Sequence, residues 1–357
     1  MRRLLPVLAA LCALPLFAAS AAIPETAAVN RGAAFLKSIH LPNGTYGTDS
    51  PGQNMDSIYA VRAAGFDPAL DLSGGKSPRD YLIESASLVT SPGAGGKAAL
   101  AAIALGLDPR NVNGVDFIAV VESHYDPATG AYADDDFTQS IAMIGLACTG
   151  NAVGAQAADA LRETQLDDGG WGFGGFADAD TTAIAIQALL ASGVPSSDPA
   201  VQAALAYLKD SQGSDGGWGY DPTASNASST AFAVQALLAL GENPESATYS
   251  KNGVTPVAYL LSQQNPDGSF QGFDPVYSTN QVIPALAGKT YCEAPSAPVT
   301  QVRPPTTPAP ATPAPLPPST GETLAASPAS ELATALALAL LVAALATGAA
   351  AFGLRKG

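Results

Sequence analysis

Apolar positions along this chain recur at helical spacing in short blocks, and the blocks come in pairs. In Val201–Lys209 the face is Val201, Leu205 and Leu208; in Thr182–Ser192 it is a broader one of Ile184, Ile186, Leu189 and Leu190. Between the two helices of a pair stands a polar turn of fixed grammar. Gln165–Gly193 runs glutamine, Asp-Gly turn, tryptophan, polar gap, alanine-rich helix, and Gln212–Gly241 repeats it. Gln264–Gly288 repeats it again with Phe270 in the tryptophan's place. Upstream, Gly44-Thr45-Tyr46 before Met55–Gly65 and Gly130-Ala131-Tyr132 before Thr138–Gly150 fit the same template, and Ser91-Pro92-Gly93 before Lys97–Gly106 is a reduced copy. The aromatic anchors Tyr132, Trp171, Trp218 and Phe270 lie 39, 47 and 52 residues apart. Six units of about 45 residues result, the signature of a repeat architecture.

Each unit supplies two helices. Asp180, Thr181 and Thr182 precede the second helix of the fourth unit and are read as its caps. Gly65, Gly150, Gly193 and Gly241 fall where a helix C-terminus calls for positive φ. Alanine-rich helices approach closely, so twelve of them stack as an inner and an outer layer, and neither end carries a polar capping repeat. The expectation is an all-α chain, an α6/α6 toroid of six helix-pair repeats, plus a C-terminal transmembrane helix.

The ends of the chain change the picture. Residues 1–22 carry Arg2 and Arg3, an apolar run and small residues, the pattern of a secretory signal peptide. Residues 23–292 hold the repeats, and 293–331 turn rich in Pro, Thr and Ala, a stalk that builds no core. Residues 332–354 are uncharged and long enough to cross a bilayer, and Arg355-Lys356-Gly357 follow as a cytoplasmic tail. Pro317-Pro318-Ser319-Thr320-Gly321 resembles a sortase signal but lacks its leading leucine, so a retained anchor is expected. The expected location is the cell membrane, single-pass, with the N-terminal domain extracellular. Residues 23–292 contain 11 Lys/Arg and 28 Asp/Glu, a net charge of −17, which disfavours nucleic acid as a partner. Cys148 and Cys292 remain in the mature chain, and their pairing is left open.

The turns carry a resemblance. Gln165–Gly169–Trp171 and Gln212–Gly216–Trp218 match the Q-x(2–5)-G-x-W repeat of squalene and oxidosqualene cyclases, and Gln264–Gly268–Phe270 nearly does. The chain thus resembles the prenyltransferase/squalene-cyclase repeat superfamily, which includes terpene cyclases, protein prenyltransferase β subunits and cobalamin carriers of the transcobalamin type. The resemblance spans nearly all of residues 25–290. It implies an α/α toroid and leaves the activity open.

Class II terpene cyclases protonate an alkene with the middle aspartate of a D-x-D-D-T motif. Asp178-Ala179-Asp180-Thr181-Thr182 matches its first two aspartates and places Thr181 at the third. Those cyclases, as the resemblance has it, enclose substrate between two barrels lined with aromatics, whereas this chain has one ring and 7% aromatic residues. The zinc ligands of prenyltransferases find no counterpart, because His40 and His124 stand where seam glutamines belong; no metal and no cofactor are expected. Lys97 is the one cation at an inner-helix start. What remains is the rim, where the inner helices begin. Asp56, Asp136, Asp178, Asp180, Phe176 and Tyr220 are the candidate ligand-binding residues there, with Asn226, Ser229, Thr279, Asn280, Phe173 and Phe273 nearby. The functional expectation is a surface-anchored, non-catalytic toroid that binds a small molecule or a surface partner at its mouth. The alternative is a terpene cyclase- or prenyltransferase-like enzyme with Asp178/Asp180 as the acid.

Overall fold

The computed structural model describes residues 23–300 except 49, 72–74 and 221–223. The signal peptide, most of the stalk, the apolar segment 332–354 and the tail lie outside the described residues. Among the described residues no helix is long and apolar enough to cross a membrane.

Twelve α-helices are described, two per unit. The outer ones are α1 (Thr26–Ser38), α3 (Pro78–Ser85), α5 (Phe117–Glu122), α7 (Ala157–Glu163), α9 (Pro199–Ser211) and α11 (Pro256–Ser262). The inner ones are α2 (Pro51–Ala63), α4 (Pro92–Ala104), α6 (Asp136–Ala147), α8 (Ala179–Ala191), α10 (Ala227–Ala239) and α12 (Pro275–Leu286). Each inner helix packs on the next, α2 on α4 and so on round to α12, which packs on α2 and closes the ring. Inner helices are buried on most sides: α10 hides every residue from Ala227 to Leu237. Alanine at so many of these positions is what lets the helix axes come close enough to leave no gap.

One chemical rule holds the seams. The glutamine of each full motif donates twice, to its own turn and to the next unit. Gln165 Nε2 reaches the carbonyls of Gly169 and Ala200, both at 2.8 Å. Gln212 Nε2 reaches Gly216 and Tyr249 at 2.9 and 2.8 Å. Gln264 Nε2 reaches Gly268 at 3.0 Å and Ala28, in α1, at 2.9 Å, so the last unit is stitched to the first by the same bond that joins the fourth unit to the fifth and the fifth to the sixth. The turn glycine is required because Gly169 sits at φ +88° and a Cβ there would fall 2.7 Å from the Ala203 carbonyl. Trp171 and Trp218 are fully buried, and their indole N–H groups donate to Leu161 and Leu208 carbonyls at 2.6 and 2.7 Å. Their backbone N–H groups are taken by Thr182 and Thr230, one turn inside the inner helix, both at 2.9 Å. Phe270 uses Thr279, Tyr132 uses Gln139 and Tyr46 uses Asn54 in the same way.

Two features depart from the all-helical expectation. Trp171–Phe173 (β1) and Phe176–Asp178 (β2) pair antiparallel across Gly174-Gly175. Both glycines have positive φ, 65° and 83°, as a two-residue hairpin turn demands. The helix α8 also begins at Ala179, three residues before the position read from the sequence, with Asp178 as its cap. His40 is buried against Tyr46 as a seam residue, whereas His124 is exposed at the end of α5 with Nδ1 2.9 Å from the Val120 carbonyl.

Beyond α12 the chain crosses the far end of the ring. Tyr291 is buried, and its backbone N–H donates to Gln187 Oε1 of α8 at 3.0 Å. Cys292 forms a disulfide with Cys148, next to the end of α6, with Cα atoms 5.0 Å apart. The turn Ala294–Ser296 packs on α2 and α4, and Arg62 Nε donates to the Ala297 carbonyl at 2.6 Å. These contacts make residues 290–297 a floor, and the open mouth lies at the opposite end, where the inner helices start.

Candidate active site

Most polar residues at the mouth are occupied as helix caps. Asp135 accepts from the Thr138 N–H at 2.8 Å, Asp178 from Thr181 at 2.7 Å, Asn226 from Ser229 at 2.9 Å and Asp274 from Val276 at 2.8 Å. Short polar side chains do this by preference, because the first helical N–H groups have no partner within the helix. Asp136 is engaged by the Thr164 hydroxyl at 2.6 Å. Asp180 is different. Since Asp178 caps α8, Asp180 falls in the first turn with its carboxylate released from that duty. Its Oδ1 is enclosed and has no hydrogen-bond partner among the described residues. Burial pushes its carboxyl up from 3.8 to about 6; the Ser229 hydroxyl opposes that rise, and the charge of Asp178 adds to it.

Asp180 lines a cavity of about 420 Å³ together with Gln53 of α2, Tyr220, residues 226, 228 and 229 at the start of α10, and Phe273, Asp274, Tyr277 and Ser278 around the start of α12. Gln53 Nε2 donates to Asp274 Oδ2 at 2.6 Å, and the Ser228 and Ser278 hydroxyls meet at 3.1 Å, so the wall is polar and tied across helices. Of the candidates taken from the sequence, Asp180 and Tyr220 line this cavity. Asp56, Asp136, Asp178 and Phe176 are not among its lining residues. Phe176 projects from the hairpin, 79% exposed, beside Phe173 at 75%.

Asp56 lies deeper, 1% exposed, paired with Lys97 Nζ of α4 at 2.8 Å and receiving the Tyr59 hydroxyl. Burial raises its carboxyl, and Lys97 pulls it back. The cation noted in the sequence at Lys97 is thus committed to a buried pair, a costly arrangement that only close geometry sustains. Burial and the charges of Asp56 and Asp180 raise the Tyr277 phenol well above the ordinary value. Gln53, Asp274, Tyr277, Ser228 and Ser278 escaped the sequence reading. The signal was available in their register, since all but Asp274, which caps its helix, fall in the first turn of an inner helix.

The family model of the squalene-hopene cyclase C-terminal domain matches residues 117–284. Among solved structures, the type II terpene cyclase MstE from Scytonema, holding geranylgeranyl dihydroxybenzoate as substrate, aligns at 16% identity and TM-score 0.51, covering 75% of this chain and 97% of that one. Its apo form aligns at 17% identity and TM-score 0.50, covering 73% and 97%. A protein from Actinoplanes aligns at 16% identity and TM-score 0.50, covering 73% and 98%. No curated protein matches.

The chain has the prenyltransferase/squalene-cyclase-like fold. The expectation of a non-catalytic module is corrected by these findings. It rested on the missing third aspartate, the few aromatics and the lack of a second barrel; the last ground falls away, since this chain covers 97% of a type II terpene cyclase that has been seen with substrate bound. A single ring is therefore no bar to cyclase chemistry.

Proposed function

We propose that the protein is an acid-initiated isoprenoid cyclase in which Asp180 donates the starting proton. The observation that carries this reading is the partnerless, enclosed Oδ1 of Asp180 at the wall of the mouth cavity, on a carboxyl raised to about 6. A carboxylic acid of that strength keeps a useful protonated fraction near neutrality, as a general acid must. The kinship of fold with type II terpene cyclases supports the reaction class.

The wall favours an oxygenated substrate end. Gln53, Asn226, Ser228 and Ser278 offer hydrogen bonds that a bare hydrocarbon would leave unmet. Thr181 replaces the third aspartate of the motif, and an acid near 6 drives a proton onto an epoxide oxygen more readily than onto an unactivated alkene. The proton of Asp180 passes to the epoxide oxygen and the C–O bond opens. A neighbouring double bond closes the ring on the resulting cation, and the last cation loses a proton to water. Asp180 is reprotonated from solvent through the mouth, so the product is an isomer of the substrate. The reading includes a place: the ring lies outside the cell, held to the membrane by 332–354, which the apolar ends of the chain and the Cys148–Cys292 bridge support.

The test is to incubate the full chain with a farnesyl chain carrying a terminal epoxide and to follow products by mass spectrometry. A cyclic product of unchanged mass, absent with Asp180→Asn, is expected. Unchanged substrate with the wild-type chain overturns the reading.

A further inference from the structure

We infer that Ser229, turned by Asn226, holds the Asp180 carboxyl so that its acidic proton sits on Oδ1; this rests on the cyclase reading. The starts of α8 and α10, which pack side by side, differ in one decisive place. In α8 the cap is Asp178, and the Thr181 hydroxyl three residues on donates back to its Oδ2 at 3.0 Å. In α10 the cap is Asn226. Its Oδ1 accepts the Ser229 N–H at 2.9 Å, as a cap does, and this leaves its amide Nδ2 facing the Ser229 hydroxyl, to which it donates at 2.9 Å. An amide N–H cannot accept, so the Ser229 proton must go elsewhere. The hydroxyls on either side have partners of their own, Ser228 with Ser278 at 3.1 Å and Thr230 with the Asn226 carbonyl at 2.7 Å. Ser229 is 1% exposed, lines the mouth cavity with Asp180, and bonds through its hydroxyl to the Asp180 carboxyl.

Oδ1 of Asp180 has no partner, so the Ser229 bond falls on Oδ2. An oxygen that accepts a hydrogen bond is the carbonyl oxygen of the acid form, and the acidic proton is left on the other. When the Oδ1–H bond breaks and the proton passes to the epoxide oxygen, negative charge spreads over the carboxylate and the bond to Oδ2 strengthens with it. Ser229 is therefore a positioning residue. The titratable groups around Asp180 do not share this task. Asp178, at the start of the same helix, is taken by Thr181, and Asp136 of α6 by Thr164. Tyr207 of α9 and Tyr277 of α12 feel the Asp180 charge, and Asp274 and Tyr220 line the same cavity, but among the described residues the side-chain bond to Asp180 comes from Ser229.

The experiment follows the Asp180 carboxyl of the full chain by infrared titration, as the difference from Asp180→Asn, beside the pH profiles of kcat and KM for the farnesyl chain with a terminal epoxide. The wild-type midpoint lies near 6. In Ser229→Ala the donor that favours the ionised form is gone. The midpoint then moves up by roughly one pH unit or more, and kcat on the low-pH plateau falls about tenfold or more with KM little changed. Ser229→Thr, which keeps a hydroxyl, restores both. Ser229→Cys keeps the volume with only a weak donor and shifts as the alanine variant does, which carries the test if Ser229→Ala fails to fold. A midpoint that stays near 6 in Ser229→Cys overturns the inference, as does a threonine variant that behaves like alanine or cysteine. If the carboxyl titrates but the wild-type chain forms no product, the cyclase reading falls and takes this inference with it; if product forms and the midpoint does not move, only the role of Ser229 falls.

Discussion

At the scale of residues, the separation of capping from chemistry depends on where one helix begins. The sequence reading put Asp180 among the caps of α8; in the structure Asp178 takes the cap and Asp180 is left without a partner on Oδ1. This was not legible because Asp, Ala, Asp, Thr, Thr offers several cap-competent residues in a row, and propensity does not choose among them. The buried Asp56–Lys97 pair was hidden for another reason: it joins α2 to α4, and spacing along the chain does not tell which residues of two facing helices meet. The raised carboxyl of Asp180 has a consequence for stability. A group whose folded value, about 6, exceeds its ordinary 3.8 favours the folded state below about 3.8 and loses that contribution as pH rises through 6. Asp180→Asn removes the cost of burying the charge. It should therefore stabilise the protein at pH 8, by about 3 kcal/mol at most, with the gain vanishing at pH 4. Thermal unfolding of both forms across that range checks this; an unstabilised variant at pH 8 speaks against the buried acid.

At the scale of elements, the seams were the most legible part of the chain. Gln165, Gly169 and Trp171 announce themselves by spacing, and the structure gives each a task that no other residue type does as well: two carbonyls bridged, a positive φ, a buried indole. The inner helices were legible because burial on most sides fills them with small and apolar residues, alanine above all in α4, α8 and α10. Outer helices such as α5, six residues long, were poorly marked, since so short an amphipathic segment shows barely one repeat of its face. The Gly174-Gly175 hairpin was passed over as part of a polar gap. Trp218 is fully buried and bonded to Leu208 of α9 and Thr230 of α10, so Trp218→Ala is expected to cost about 3–5 kcal/mol, the usual loss for a buried large aromatic. Gln264→Ala removes the bonds to Gly268 and to Ala28 of α1 and the one its Oε1 accepts from Arg31, and a smaller loss of ~1–3 kcal/mol is expected. Denaturant unfolding of the two variants ranks them; a Trp218→Ala protein as stable as the parent would contradict the burial of Trp218 as an anchor of its unit.

For the whole molecule, closure follows from the count of units and from the absence of capping repeats, and α12 against α2 completes it. The floor was not foreseen, although both cysteines were in view, because their pairing depends on the ring bringing the end of α6 beneath residue 292. Function lay one step beyond fold. Reasoning by analogy with two-barrel enzymes made one ring look insufficient, and a cyclase of the same extent removes that argument. What the closed ring provides is an enclosed acid at a mouth whose far end is shut. The most direct measurement is the rate at which the full chain converts a terminally epoxidised isoprenoid into its cyclic isomer, followed from pH 5 to 8. With Asp180 as the donor, the rate falls as pH rises, with a midpoint near 6, and Asp180→Asn gives no product at any pH. A rate that is flat or rising over that range, or a product that survives in Asp180→Asn, contradicts the account.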